Sequence, residues 1–190
     1  VLVKFGLPAV LAAFFGATLL SWLGEFQPLY QYGAFGREIQ VSALKLVVGL
    51  LIIFFVALEL SPTFSKISLD RKWLPIGGVI SGFFGGLSGH QGAFRSMFLI
   101  KAGLEKESFV ATGVVLAVMV DLSRMVVYGA DISFRNEVVN WPMVIVACAA
   151  AFAGAFIGTK ILKKVTIRTV QVIVSALLIV VAVGLIAGLL

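Results

Sequence analysis

Charge is what this chain has least of. Only 13% of its 190 residues are Asp, Glu, Lys or Arg, against roughly 25% in soluble domains. Because 61% are hydrophobic and the mean hydropathy is +1.11, a soluble fold is excluded. Cysteine is nearly absent. Cys148 stands alone inside an apolar stretch, which excludes a disulfide framework and makes it a small packing residue whose thiolate is disfavoured. Histidine is as scarce, with His90 the single one, and neither a metal site nor a cofactor is expected. Pro/Ser-rich linkers and low-complexity tracts are missing too, so residues 1–190 read as a single membrane domain. The first apolar run is not followed by a small-residue cleavage site, so it is not a signal peptide.

What the chain does have is long apolar runs. A helix needs about 20 mostly apolar residues to cross a bilayer, and 3–23, 44–60, 109–128, 141–162 and 170–190 qualify. A sixth run, 73–103, is longer and rich in glycine. The formal charge of +6 would suggest nucleic acid for a soluble protein. Here it reports cytoplasmic loops, which collect Lys and Arg, and nucleic acid is not an expected partner.

The loops decide how 73–103 is threaded. If it crosses once, the basic residues divide almost evenly between the two sides. If it enters and returns as two short helices broken near residues 85–92, then Lys4, Lys66, Arg71, Lys72, Lys101, Lys106, Lys160, Lys163, Lys164 and Arg168 share one face. Only Arg37, Lys45 and Arg135 are left opposite. That is a positive-inside pattern, and it favours the hairpin over a long tilted span.

A weak internal repeat supports the same reading. Residues 13–20 and 155–162 share Ala13/Ala155, Phe14/Phe156, Gly16/Gly158 and Leu20/Leu162, and each is followed by a loop and an apolar span. With the hairpin in place the two matched pairs run in opposite directions. The expected fold class is therefore an all-α polytopic membrane protein, an inverted-repeat transporter with a Gly-broken helical hairpin. Residues 1–60 would be the second half of repeat one and 73–190 repeat two, about one and a half repeats in all. The chain opens on Val1 rather than Met, and about 70 residues are expected to precede it.

The candidate site lies in the glycine run from Gly77 to Gly92, with Ala93, Phe94, Arg95 and Ser96 after it. Its small residues at four-residue spacing have one plain use, close helix packing. Packing leaves unexplained why Ser88, Gly89, His90, Gln91, Gly92, Arg95 and Ser96 gather mid-segment, where polar groups are costly and usually face a pathway. A half-helix starting near Ala93 would aim its free N–H groups and positive dipole end at the midplane, and with Arg95 this makes an anion site. Each residue has an alternative use: His90 as proton carrier or packing group, Arg95 as anion ligand, snorkelling side chain or partner of Asp121, Gln91 as ligand or backbone cap. Asp121 and Arg124 share a helix face and can pair, as a structural link or a gate. Thr112 and Ser81 are candidate pathway residues. Glu59 and Lys45, near span ends, are expected to snorkel to water.

Other classes compete with transport. Gly86-Leu87-Ser88-Gly89 fits the Gly-x-Ser-Gly signature of rhomboid proteases, but the serine needs a histidine base from a later helix, and His90 stands only two residues on. No enzyme is expected. An anion channel stays open, because a Gly-broken re-entrant element can line a pore, as does a non-transporting structural or receptor subunit.

Residues 76–99, followed by Gly103-Leu104 and Ala111-Thr112-Gly113-Val114-Val115, resemble the Gly-rich core of the TauE/SafE family of sulfite and anion exporters. Residues 153–190, with Gly158-Thr159-Lys160-Ile161-Leu162 before a basic loop, are similar to that family's C-terminus. The resemblance implies a prokaryotic inner-membrane transporter of about eight segments in two repeats, exporting sulfite or a related sulfur-containing or organic anion. A small anion and the lipid bilayer are the implied partners, with proton coupling and a homodimer as further expectations. His90-Gln91-Gly92 stands where many members carry Gly-Gly-Gly or Gly-Gly-Pro, and Arg95 follows one turn later. That departure weakens the case for sulfite itself and strengthens the case for an anion.

Overall fold

The computed structural model describes residues 1–34, 36–64, 67–135, 140–161 and 166–189. Lys66, Lys163 and Lys164, which count toward the charge bias of the loops, lie outside them. The described residues form helices α1 (Leu2–Leu23), α2 (Ala43–Leu60), α3 (Leu74–Ser88), α4 (Gly92–Leu99), α5 (Lys106–Arg135), α6 (Trp141–Ile161) and α7 (Ile167–Ile186). All but α3 and α4 contain a stretch long and apolar enough to cross a membrane. This is an all-α polytopic membrane protein.

Residues 73–103 do return on themselves. α3 stops at Gly89, whose φ of 79° is a left-handed conformation that glycine adopts without a Cβ penalty. α4 then runs back along α3. Near the tip, Gln91 packs on Gly85, and at the far end the ring of Phe98 packs on Gly77. Before α3 begins, the Leu69 N–H donates to the Met97 carbonyl at 3.1 Å and closes the hairpin's base.

The hairpin sets the direction of the helices around it. α1 and α3 run parallel, with Gly78, Gly82 and Gly86 set against Phe5, Ala9 and Ala13 in step, and Gly16 against Phe83 and Leu87. A glycine on one side of each contact lets the two backbones touch. α5 also runs parallel to α1: Gly6 lies against Leu116 and Met119, and toward the other end of α1 the Ser21 hydroxyl donates to Asp131 at 2.8 Å. A single crossing by 73–103 would have turned α5 the other way. The buried core sits between α1, the two hairpin helices and α5, and includes Phe5, Ala9, Leu74, Phe98, Leu116 and Val120.

α2 and α7 form a second pair. They are antiparallel, joined by Ile52 and Val56 against Ala182 and by Gly49 against Ala182 and Ile186. The 24–42 loop holds an antiparallel ribbon, β1 (Tyr30–Ala34) with β2 (Arg37–Val41), in register Tyr30 to Val41. The loop is thus partly strand, because Tyr30, Tyr32, Ile39 and Val41 alternate with polar residues at the period a strand needs. It caps α7, where the Tyr32 hydroxyl donates to the Ala187 carbonyl at 2.5 Å. α6 is different: Ala151, Gly154 and Ala155 are all exposed along it.

Candidate functional site

The site is built from the turn between α3 and α4. Its tip is held from inside, since Ser81, wholly buried, donates its hydroxyl to the Gln91 carbonyl at 3.2 Å. Ser81 therefore serves as a strut within the hairpin and does not face an open space. Ser88 turns back onto its own helix, to the Phe84 carbonyl at 3.1 Å. His90 Nδ1 lies 3.0 Å from the Ser88 carbonyl, and a carbonyl only accepts, so Nδ1 carries the proton in that bond. Its ring stacks on Phe55 of α2 at 5.8 Å. Phe84 and Phe94 pack edge-on against the same Phe55, which makes an aromatic seam between hairpin and α2.

α4 begins at Gly92, one residue before the expected start. Its N-terminus carries no side-chain cap, so the capping role open to Gln91 is not taken by its side chain. The first-turn N–H groups are left without intrahelical partners. Gly92, which bears the first of them, borders a cavity of about 200 Å³, whose lining includes Ser96 of α4, Ile100 just past its end, Glu59 of α2 and Gln171 of α7. Glu59 thus borders this cavity. Gln171 had no signal in the sequence beyond its polarity in an apolar run.

Arg95 does not line that cavity. About 60° around α4 from Gly92 by helical geometry, it turns to α5, its Nε 3.7 Å from where a Cβ on Gly113 would stand. Its Nη1 is buried without a hydrogen-bond partner. Thr112, also buried, precedes Gly113 on α5. The structure therefore separates Arg95 from Ser96, which sequence placed in one cluster.

Asp121 and Arg124 pair at 3.6 Å. Arg124 also reaches the hairpin tip, where a Cβ on Gly89 would come within 2.9 Å of its Nη1, and its guanidinium lies over the Tyr128 ring at 5.5 Å. Arg124 Nε and Tyr128 Oη are, like Arg95 Nη1, buried and without a partner. Tyr128 was not among the expected residues, although it falls one helical turn after Arg124 and two after Asp121, on one face. Asp121 thus faces Arg124 at 3.6 Å, while Arg95 Nη1, Arg124 Nε and Tyr128 Oη are left without an acceptor. Among the described residues no group of His, Cys, Asp and Glu could hold a metal ion.

No curated protein and no solved structure matches the chain. The family model described as sulfite exporter TauE/SafE matches residues 1–185, and with a glycine-rich helical hairpin packed among five helices long and apolar enough to cross a membrane, the chain belongs to the sulfite exporter TauE/SafE family.

Proposed function

We propose that the protein is a secondary transporter, acting as an exporter, of a small anion such as sulfite or another sulfur-containing or organic anion, in the inner membrane of a prokaryotic cell. The family is one of transporters, and the observation that carries the reading is Arg95. A guanidinium whose Nη1 is buried with no acceptor is costly in an apolar segment, and an anion supplies both the missing acceptor and the missing charge. The uncapped start of α4 offers further donors and a favourable dipole end, on another face of the same helix and facing the cavity bordered by Gly92 and Ser96.

Alternating access by rocking of inverted repeats fits this architecture. The antiparallel packing of α2 on α7 is what a two-fold axis in the membrane plane would produce for the last helices of two repeats. The repeat equates Ala13 and Gly16 of α1 with Ala155 and Gly158 of α6, and the same offset carried back sets Ala9 and Ala12 beside Ala151 and Gly154. On this reading α6 uses that face for close helix packing, as α1 does.

The test is Arg95→Ala in proteoliposomes. Loss of hydrogen bonds to a charged ligand costs about 1.5–3 kcal/mol, so the half-saturating anion concentration is expected to rise at least tenfold, with the protein still inserted and folded. Unchanged flux kinetics would remove Arg95 from the site.

A further inference from the structure

On α5, past the point where the hairpin tip touches it, stand two more donors. Arg124 Nε and Tyr128 Oη belong to side chains one turn apart, held together by the guanidinium lying over the ring, and both atoms are buried without an acceptor. Leaving one such group unmet is unfavourable, and a native fold rarely leaves two together without a use. Asp121 does not meet them. Its contact is with Arg124 Nη1 at 3.6 Å, well beyond the 2.7–2.9 Å or so of a charge-assisted hydrogen bond, and its side chain is 55% exposed. It balances charge loosely and leaves Nε unoccupied.

We infer that Arg124 Nε and Tyr128 Oη form a second anion subsite, on the α5 side of the hairpin tip and apart from the cavity bordered by Gly92 and Ser96. Its ligand is an anion whose head group presents at least two acceptor oxygens, of the sulfite, sulfonate or carboxylate class. One oxygen accepts from Nε and another from the phenol, and the ligand's charge takes over from Asp121. An oxyanion head group gives each donor its own acceptor oxygen, which a linear or single-atom anion does not, so this subsite favours oxyanions. The inference rests on the anion-transporter reading and adds to it a selectivity station that Arg95 does not provide.

The experiment uses the full chain in proteoliposomes, with sulfite, methanesulfonate and thiocyanate as probes, each taken as substrate or as inhibitor of flux. Tyr128→Phe keeps the ring beneath Arg124 and removes only the hydroxyl. The half-maximal concentrations of sulfite and methanesulfonate are expected to rise about tenfold while that of thiocyanate stays put. Arg124→Lys keeps the charge, lacks Nε, and should shift the same ratio in the same direction. A purely structural role for either residue would move all three anions alike. An oxyanion-to-thiocyanate ratio unchanged in both variants overturns the subsite and leaves the transporter reading standing. A wild-type protein that neither moves nor responds to any of the three overturns both.

Discussion

Gly82→Ala probes the contact on which the hairpin's position depends. A methyl at Gly82 would stand 2.5 Å from the Cα of Ala9 and 2.7 Å from its carbonyl carbon, with the carbonyl oxygen nearer still. Relaxed carbon contacts lie at about 3.5–4.0 Å, so the two helices must separate by about 1 Å. Rotation of a side chain does not relieve this, because the three nearest atoms are all α1 backbone. Separation also loosens the contacts of Gly78 with Phe5 and of Gly86 with Ala13, which lie on the same stripe. Overpacking of this kind costs about 1–3 kcal/mol, and the better helix propensity of alanine returns at most about 1 kcal/mol. The expected net loss is about 1–2 kcal/mol, or about 5- to 30-fold in the folded-to-unfolded ratio. Reversible unfolding of purified protein in mixed micelles measures it. Gly129→Ala is the control, since a Cβ there meets nothing within 4 Å, and it should leave stability unchanged or slightly raised. If Gly82→Ala is as stable as Gly129→Ala, the backbone-to-backbone packing of α1 on α3 is wrong.

Two further outcomes are expected. Ser81→Ala removes the hydroxyl that holds the Gln91 carbonyl and should lower stability by about 1–2 kcal/mol in the same unfolding assay; no loss would mean that the tip holds without its strut. Ala155→Leu adds bulk to the α6 face that the repeat equates with Ala13 of α1, and it should reduce folded yield in the membrane as Ala13→Leu does. A neutral Ala155→Leu beside a damaging Ala13→Leu would argue that α6 faces lipid there and that the repeat does not extend to packing.

The hairpin was legible because two independent signals agreed. Glycine spacing marked a weak point, and the loop charges made sense only if 73–103 returned to its starting side. The break fell within the expected 85–92 window, at Gly89, the position where the backbone takes a positive φ. Helix ends were less legible. α5 runs from Lys106 to Arg135, beyond the apolar stretch 109–128, because hydropathy reports lipid exposure whereas the helix continues into a polar end tied down by Asp131 and Ser21. The ribbon in the 24–42 loop was missed although its alternation was there to read, since glycine and proline drew attention to turns instead.

The candidate site was legible as a set of residues and not as an arrangement. Arg95 and Ser96 are neighbours in sequence, yet a helix turns about 100° per residue and sends one to α5 and the other to the cavity shared with α2 and α7. Ser81 read as a pathway residue because a serine in an apolar helix is conspicuous; only the return of α4 supplies the Gln91 carbonyl that it holds. Tyr128 was passed over for the opposite reason, as a tyrosine at the end of an apolar stretch is ordinary. Its significance comes from Arg124 stacked over it and from a hydroxyl with no partner.

The most direct test of the account is flux itself. Purified protein of the full sequence, reconstituted into liposomes, would be assayed for movement of sulfite, sulfate, thiosulfate, sulfoacetate and simple carboxylates, with and without a pH gradient. Saturable movement of at least one of these anions above protein-free liposomes is expected, abolished or severely weakened by Arg95→Ala. Absence of flux for every anion in the panel from folded, inserted protein, or flux indifferent to Arg95, would contradict it.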